Sequence, residues 1–335
     1  MSFAKKAFKA IDKNPIGHKL AVARRGALDA LADPSVVTKA PYRFIDRSHG
    51  SESMCMILAG YKPTLWNDVF ARLAASLPSG FDVCVLSSGL FDERLDRIAE
   101  EHGWSYLSTE VNQLANIQNK AIELHPSATW IYKVDEDIFV TDGLFNGLRE
   151  GLERVSETTC WRPAFAAPLL NVNTYTSIRL LELVGLTEDF QAQGLCEVAY
   201  TDGITHNIGL LEDPRVSKYM WGESQEVLAD IDVLARALAL QPFSFSLCPG
   251  RFSIGVILFS RATWEAFDHF PVNSRKNGLG DDEEHVATFA CLTGHPILVC
   301  ENLLAGHLGY GPQTEDMLAY HEAHPDVFAF KGDMR

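Results

Sequence analysis

From residue 54 onward, short apolar runs alternate with segments whose apolar residues recur every three or four positions. The first pattern is typical of buried strands and the second of helices. The predicted strands are 54–59, 82–89, 104–107 and 129–139, and the predicted helices are 66–77, 91–102 and 113–124. This alternation predicts an α/β fold with a mostly parallel central sheet and helices on both faces.

The second half of the chain is less regular. Its predicted strands are 165–171, 252–259 and 296–300, and its predicted helices are 177–186, 224–240, one that begins at Arg261 and one that ends at Leu292. No internal repeat or low-complexity linker divides the chain. We therefore expect one domain, residues 51–312, after a helical leader of residues 1–50 and before a C-terminal tail of residues 313–335.

Three consecutive acids, Asp135, Glu136 and Asp137, interrupt the apolar run of residues 130–140. In an extended chain, side chains two residues apart point to the same side, so Asp135 and Asp137 are predicted to converge. Paired carboxylates suit a hard divalent cation, and ligands of open α/β sheets bind beyond the carboxyl ends of the strands. The alternative interpretation is a strand that ends in a solvated acidic turn.

The formal net charge of −15 argues against a general nucleic-acid-binding protein. The first 30 residues run against this trend, with seven basic residues and two acidic ones. Phe3, Ala7 and Ile11 share one face of a predicted basic helix there. Such a helix can lie on an anionic membrane, so we expect peripheral membrane contact through residues 1–30. The alternative is a frayed terminal helix.

The seven cysteines are scattered, and most lie in apolar runs, which favours reduced thiols and a cytoplasmic protein. No apolar stretch is long enough for a transmembrane helix, and the first residues do not show the apolar block of a signal peptide.

Four segments, taken in order, resemble nucleotide-sugar glycosyltransferases of the GT-A fold, and especially the family-2-like bacterial group. They are Ala59-Gly60-Tyr61 after the first strand, the helix of residues 113–121, the D-x-D-like Asp135-Glu136-Asp137, and residues 255–264 followed by Gly280-Asp281-Asp282-Glu283-Glu284. The resemblance implies a nucleotide-binding half, residues 51–145, and an acceptor-binding half, residues 146–312.

The resemblance also implies roles for individual residues. The implied donor-binding residues are Ala59, Gly60, Tyr61, Gln113, Asn116, Asn119, Lys120, Asp135 and Glu136. Asp135, Asp137 and the late His307 would hold Mn²⁺ or Mg²⁺. Asp282, or its neighbour Asp281, would act as catalytic base, with Glu283 and Glu284 as further choices. The competing interpretation of these acids is an acidic helix N-terminus stabilised by the helix dipole.

These roles imply a metal-dependent hexosyltransferase that moves a sugar from a nucleotide-sugar donor to a glycan or glycolipid acceptor in bacterial surface polysaccharide synthesis. An inverting transfer is favoured, and a retaining one stays open because retaining GT-A enzymes can carry acids in the same loop. One alternative is a sugar nucleotidyltransferase, although the loop Gly60-Tyr61-Lys62-Pro63-Thr64 matches the Gly-rich triphosphate loop of that class poorly. The other alternative is a non-catalytic protein that binds nucleotides or glycans.

Overall fold

The computed structural model describes Lys19 and residues 33–200, 207–274 and 278–330. Ten strands form one sheet in the order β1-β4-β3-β2-β5-β9-β7-β10-β6, with β8 paired to β10. The strands are β1 (Tyr42–Ile45), β2 (Ser53–Leu58), β3 (Asp82–Ser88), β4 (Ser105–Thr109), β5 (Trp130–Asp135), β6 (Ile138–Phe139), β7 (Phe165–Leu170), β8 (Phe245–Cys248), β9 (Val256–Ser260) and β10 (Ile297–His307).

Six strands, β2, β3, β4, β5, β7 and β10, run in one direction, and the other four are antiparallel to their neighbours. The six co-directional strands are almost entirely buried, as is usual for parallel strands covered on both faces. The predicted α/β class with a mostly parallel central sheet is confirmed.

Helices connect and cover the strands. They are α1 (Ser35–Thr38), α2 (Trp66–Ser76), α3 (Glu93–Glu101), α4 (Leu114–Leu124), α5 (Leu144–Thr158), α6 (Thr176–Leu183), α7 (Thr187–Ala192), α8 (Ile208–Glu212), α9 (Pro214–Met220), α10 (Ile231–Ala239), α11 (Arg261–Ala266), α12 (Asp281–Thr293), α13 (Thr314–Ala323) and α14 (Pro325–Phe328). Three short 3₁₀ turns accompany them, at Pro63–Leu65, Glu226–Leu228 and Gly311–Gln313.

The strand order reverses direction beside β2. From β2 the chain moves outward through β3 to β4, and it then returns across β2 to form β5 on the other side. Because crossover connections between parallel strands are right-handed, this reversal places α2 and α3 on one face of the sheet and α4 on the other. A crevice is expected outside the carboxyl ends of β2 and β5, where the order reverses.

The predicted fourth strand is shorter than expected. It ends at Asp135, turns at Glu136 and Asp137, and continues as β6, which pairs with the end of β10 through Phe139–Gly306 and Ile138–His307. Asp135 therefore lies at the end of a strand, while Glu136 and Asp137 lie in the turn. The side chains of the three acids do not alternate between the two faces of the sheet as they would in a single strand. The sequence pattern also missed β1 and β8, which are short and largely half-exposed or exposed.

The predicted terminal segments differ from the structure. Within the predicted leader, β1 pairs with β4 and so belongs to the sheet, while the basic helix predicted near residues 3–11 lies outside the described residues. The predicted tail instead forms α13 and α14, and it buries Met317 and Phe328 completely. No helix within the described ranges combines the length and the apolar character needed to cross a membrane.

Candidate active site

A cavity of about 560 Å³ lies at the carboxyl ends of the central strands, at the predicted crevice. The predicted metal ligands Asp135, Asp137 and His307 and the predicted base Asp282 all line this cavity. The end of β5 supplies Asp135, the turn after it supplies Asp137, the end of β10 supplies His307, and the first turn of α12 supplies Asp282. The fold thus brings together residues from three distant segments of the chain. Ala59 and Tyr61, from the predicted donor-binding set, are also on its wall.

Glu136 fixes the loop that follows β2. Its carboxylate accepts hydrogen bonds from the backbone N–H groups of Gly60 and Tyr61, both at 2.9 Å, and from the indole N–H of Trp66 at 2.7 Å. Three donors satisfy a carboxylate that is only 7% exposed. Glu136 borders the cavity, and its oxygens hold the loop, so a donor contact by Glu136 stays a prediction beside this supporting role.

Asp135 is paired with a buried lysine. The Nζ atom of Lys133 donates to Asp135 Oδ2 at 2.7 Å and to the backbone carbonyl of Ile254 at 2.7 Å. Burial raises the pKa of Asp135 to about 6, with Lys133 acting in the opposite direction and the negative charges of Asp137 and Asp282 adding to the rise. Lys133 therefore offsets only part of the cost of a negative charge on Asp135.

Asp137 faces two nitrogens. The Nε2 atom of His307 lies 3.7 Å from Asp137 Oδ2, and the ammonium group of Lys62 pairs with the same oxygen. Burial raises the pKa of Asp137, but Lys62 and His307 outweigh it and bring the pKa below its usual range. Asp137 is therefore ionised at neutral pH.

The ring of His307 is oriented by the backbone. Its Nδ1 atom lies 2.6 Å from the carbonyl oxygen of Val172, and its backbone N–H donates to Asn171 Oδ1 at 2.8 Å. Since a carbonyl only accepts, Nδ1 carries a proton, and Nε2 is the nitrogen that faces Asp137. A hydrogen bond of this kind from the far side of the ring is the usual support of a metal-ligating histidine.

Asp137 and His307 fit two positions of an octahedral divalent ion. Adjacent ligands of such an ion with bonds of about 2.1 Å lie about 3 Å apart, so an inward shift of less than about 1 Å would suffice. Among the described residues, no group of three or more acidic, histidine or cysteine side chains surrounds a single point. The donor set fits Mn²⁺ or Mg²⁺ if phosphate and water oxygens provide the remaining ligands.

Asp282 is held on both oxygens. Oδ2 accepts from Gln118 Nε2 at 3.0 Å, and Oδ1 accepts from the backbone N–H of Glu283 at 2.9 Å. Gly280 precedes the helix with a φ of 81°, and a Cβ there would lie 2.9 Å from Arg251 Nη2. Only glycine readily takes this backbone conformation, which turns the chain into α12 and directs Asp282 toward the cavity.

Glu283 and Arg251 form the rim beside Asp282. Arg251 donates to the carbonyl of Gly280 at 3.1 Å and lies 3.9 Å from the Glu283 carboxylate. Burial raises the pKa of Glu283 to about 7, opposed by Arg251 and reinforced by the negative charge of Asp282.

Asp281 is corrected as a candidate base. Its carboxylate accepts from Asn273 Nδ2 at 2.6 Å, and its side chain is not part of the cavity wall. In the first turn of a helix, neighbouring residues point in different directions, so Asp281 and Asp282 do not both face one site.

The polar residues of α4 do not face the cavity, which corrects the donor-binding prediction for four of them. Gln113 caps the helix by accepting from the Asn116 N–H at 2.7 Å, and the Asn116 side chain donates to the Val37 carbonyl. Asn119 is bonded to Trp264 and Phe270. Lys120 pairs with Glu123. The helix turns its remaining amide, Gln118, toward Asp282 instead.

Three residues of the site, Lys62, Gln118 and Arg251, carry no clear signal in the sequence. Lys62 and Arg251 both lie in loops, so neither belongs to the periodic pattern of a helix or a strand. Gln118 is one of several amides on α4, and only the helix rotation in the fold distinguishes it. A signal was present in one case: a lysine and a proline directly after a buried strand mark a fixed loop at the ligand-binding edge of the sheet.

No family model matches the sequence, and no curated protein matches it in sequence. Similar solved structures exist. A mannosyltransferase from Pyrobaculum calidifontis, PcManGT, in complex with GDP-Man and Mn²⁺, has 14% identity and a TM-score of 0.44, over 90% of this chain and 67% of that one. GalNAc-T7 with UDP, GalNAc and Mn²⁺ has 12% identity and a TM-score of 0.43, and the alignment covers 82% of this chain and 49% of that one. At this level of similarity, neither carries a conclusion on the activity of this chain.

Proposed function

We propose that this protein is a metal-dependent glycosyltransferase of the GT-A type, which moves a sugar from a nucleotide-sugar donor to a hydroxyl of a glycan or glycolipid acceptor. The observation that carries this proposal is the single cavity at the strand ends that unites Asp137 and His307 with the separately anchored Asp282. The first pair suits a cation beside a diphosphate, and the third residue suits proton removal from an acceptor.

The donor is proposed to lie along the carboxyl ends of β2 and β3. Ala59, Ser88 and Asn112 line that side of the cavity, which is within the usual size range of small-molecule sites. Lys62 and Arg251 also line the cavity, and their positive charge would attract a diphosphate. The hydrogen bonds that Glu136 accepts from Gly60 and Tyr61 keep their loop in place against the donor.

Asp137 and His307 are proposed as the protein ligands of Mn²⁺ or Mg²⁺. When bound, the ion would neutralise charge on the departing diphosphate. Asp137 contributes an ionised oxygen, and the hydrogen bond to Val172 keeps the His307 Nε2 lone pair directed at the same place. Asp135 is proposed as a supporting acid whose charge is partly offset by Lys133.

Asp282 is proposed as the general base of an inverting transfer. The acceptor oxygen forms its bond to the anomeric carbon while the bond from that carbon to the diphosphate oxygen breaks, and the hydroxyl proton passes to Asp282. Gln118 and the Glu283 N–H orient the carboxylate, and each oxygen retains a lone pair for the proton.

A sugar nucleotidyltransferase is the second candidate, and Lys62 is the observation that favours it. This lysine follows the first central strand and reaches into the cavity, where a basic residue of that class would contact a triphosphate. The two reactions differ in their products: a glycosyltransferase releases a nucleoside diphosphate or monophosphate from a nucleotide-sugar, whereas a nucleotidyltransferase forms pyrophosphate.

The first test is thermal unfolding with UDP-, GDP-, CMP- and dTDP-sugars, each with and without Mn²⁺. A ligand at about 100 times its Kd adds about 2.7 kcal/mol to stability, so a specific donor gives a clear rise in Tm. We expect one nucleotide class to stabilise the protein only with Mn²⁺, and Asp137→Asn to remove that effect. Stabilisation by a nucleoside triphosphate with pyrophosphate release would support the second candidate.

The second test measures transfer itself. With the stabilising donor, a panel of glycan and glycolipid acceptors should yield a glycosylated product, and NMR of its anomeric configuration checks inversion. A chain that binds a donor but shows no transfer or hydrolysis, and in which Asp282→Asn changes nothing, would contradict the enzyme proposal and favour a binding protein.

A further inference from the structure

Lys62 holds the metal-facing oxygen of Asp137. The lysine leaves the loop whose backbone Glu136 fixes through Gly60 and Tyr61, and its amine pairs with Asp137 Oδ2. The same oxygen is the one nearest His307 Nε2, at 3.7 Å. The ammonium group therefore contacts the oxygen that a divalent ion between Asp137 and His307 would bind.

The two lysines of the site differ in burial and in their hydrogen-bond partners. Lys133 is 3% exposed and also donates to the Ile254 carbonyl, so it is a fixed partner of Asp135. Lys62 is 23% exposed, sits on a loop at the cavity wall, and carries its amine on a flexible four-carbon stem. Of the two lysines, Lys62 is therefore the one that can move to another partner without disturbing the packing around the sheet.

The charge of Asp137 is compensated while Lys62 is paired with it. A buried carboxylate needs a cationic partner, and Lys62 provides one in the free protein. A divalent ion that approaches Asp137 must replace this partner, and the displaced ammonium then needs another anion. The diphosphate of a bound donor is such an anion, and it lies in the same cavity in the proposed function.

We infer that Lys62 is the resident counter-cation of Asp137, that it must leave this oxygen before a divalent ion binds, and that it then pairs with the donor diphosphate. This inference rests on the proposed function. It makes Lys62 a positioning residue that couples the two ligands: the free protein binds metal weakly, and nucleotide and metal strengthen each other's binding by the same factor.

The test measures Mn²⁺ affinity rather than activity. Isothermal titration calorimetry and Mn²⁺ electron paramagnetic resonance would be applied to the full chain and to its Lys62→Met, Lys62→Gln and Lys62→Arg variants. Without nucleotide, we expect the Met and Gln variants to bind Mn²⁺ about tenfold more tightly or better, because no ammonium competes for Asp137. The Arg variant keeps the competing charge and should bind as weakly as the parent.

Nucleotide provides the second arm of the test. With saturating UDP or GDP, whichever stabilises the protein, the parent chain should gain Mn²⁺ affinity by about tenfold or more, and Lys62→Met should gain much less. Lys39→Met is the matched control, since Lys39 is exposed and lies outside the cavity wall, and it should behave as the parent.

Three outcomes would overturn the inference. Equal or weaker Mn²⁺ binding by a folded Lys62→Met or Lys62→Gln chain would show that Lys62 does not compete with the metal for Asp137. If the parent chain still showed Mn²⁺-dependent donor binding, the proposed function would stand. Equal coupling in parent and Met variant would show that the amine does not move to the diphosphate. No Mn²⁺ binding by any chain, with or without nucleotide, would remove the metal from the proposed function as well. A gain of metal affinity on removing a side chain is not the effect of a merely structural role.

Discussion

At Asp282, one carboxylate is anchored by Gln118 and by the Glu283 N–H and faces a cavity that also contains Asp137 and His307. A general base contributes about 10²- to 10⁴-fold to a rate. Asp282→Asn preserves the size of the side chain but replaces one of its two acceptor oxygens with an NH2 group, so it removes the base and one of the two anchoring hydrogen bonds. We therefore expect it to lower kcat by about 10²- to 10⁴-fold with little change in donor affinity, as measured by initial rates and by calorimetry.

Asp281→Asn is the matched control for this prediction. The two residues are adjacent and chemically identical, but Asp281 is bonded to Asn273 and lies off the cavity wall. Its substitution should change kcat by less than about threefold, since no proton transfer depends on it. Equal losses of kcat in both variants would show that the two acids affect the rate by stabilising the N-terminus of α12, and that Asp282 is not the base.

The raised pKa of Glu283 predicts that the stability of the protein depends on pH. Its pKa in the folded protein is raised from 4.5 to about 7, chiefly by burial, so the folded state binds more protons than the unfolded state between these values. Stability should therefore be greatest below about pH 4.5 for this group and fall, by up to about 3 kcal/mol, as pH rises through 7. Urea unfolding at pH 5.5 and 8.0 should show Glu283→Gln to be relatively more stable at the higher pH. An identical difference between parent and variant at both pH values would contradict the raised pKa.

Residue types with a defined chemistry were predictable at this scale, and their partners were not. Asp137 was predicted to lie at the ligand-binding edge because it follows a buried strand, whereas the resemblance to GT-A glycosyltransferases implied that His307 and Asp282 share its site, and all three line one cavity. Lys62, Gln118 and Arg251 were missed, since a single basic or amide residue in a loop or on a helix has no distinguishing spacing. The roles assigned to Asn119 and Lys120 failed because the rotation of α4 is set by its buried apolar face, Ile117 and Ala121, which the fold alone orients.

At the scale of elements, the strands β2, β3 and β4 and the helices α2, α3 and α4 were predicted within a few residues. Each combines a buried apolar run with a helical repeat, which is the strongest pattern that a sequence offers. The strands β1 and β8 have mixed polarity and four residues each, so they lacked this signal. The bounds of β5 were missed because the turn at Glu136 is made by tertiary hydrogen bonds to a loop 75 and 76 residues away.

Arg72 joins the last helices to the sheet. From α2, its guanidinium donates to the carbonyls of Phe328 and Ala329 at 3.1 and 3.0 Å, to the Val140 carbonyl at 3.3 Å, and to the Asp232 carboxylate at 2.8 Å. Arg72 is 1% exposed, so its removal leaves several buried acceptors and a carboxylate without their donor. We expect Arg72→Met to lower the free energy of unfolding by about 3 to 5 kcal/mol, as measured by urea denaturation.

Arg215→Met is the control for Arg72. Its side chain is 66% exposed, and it pairs with Asp213 two residues before it. Exposed pairs of this kind contribute little, so the free energy of unfolding should change by less than about 1 kcal/mol. Comparable losses in the two variants would mean that the C-terminal helices are not fastened through Arg72.

At the scale of the whole molecule, the uneven charge predicts membrane behaviour. Residues 1–30 carry seven basic and two acidic residues in a chain of net charge −15, so the remainder is strongly acidic and should be repelled by anionic lipid. Deletion of residues 1–13 should leave transfer to a water-soluble acceptor intact but weaken co-sedimentation with vesicles of anionic phospholipid. Neutral phosphatidylcholine vesicles are the control, and unchanged co-sedimentation with the anionic ones would remove the proposed membrane contact.

The path of β9 has a consequence for the division of the chain into a nucleotide-binding and an acceptor-binding half. This strand, from the second half, pairs with β5 of the first half on one side and with β7 on the other, so both halves complete one sheet. A fragment that ends at residue 145 would present β5, with its buried Ile131, Tyr132 and Val134, as a bare edge strand. Such edges recruit other chains, so this fragment would aggregate rather than bind nucleotide. A fusion or circular permutation of this protein should therefore keep β5 and β9 in one folding unit.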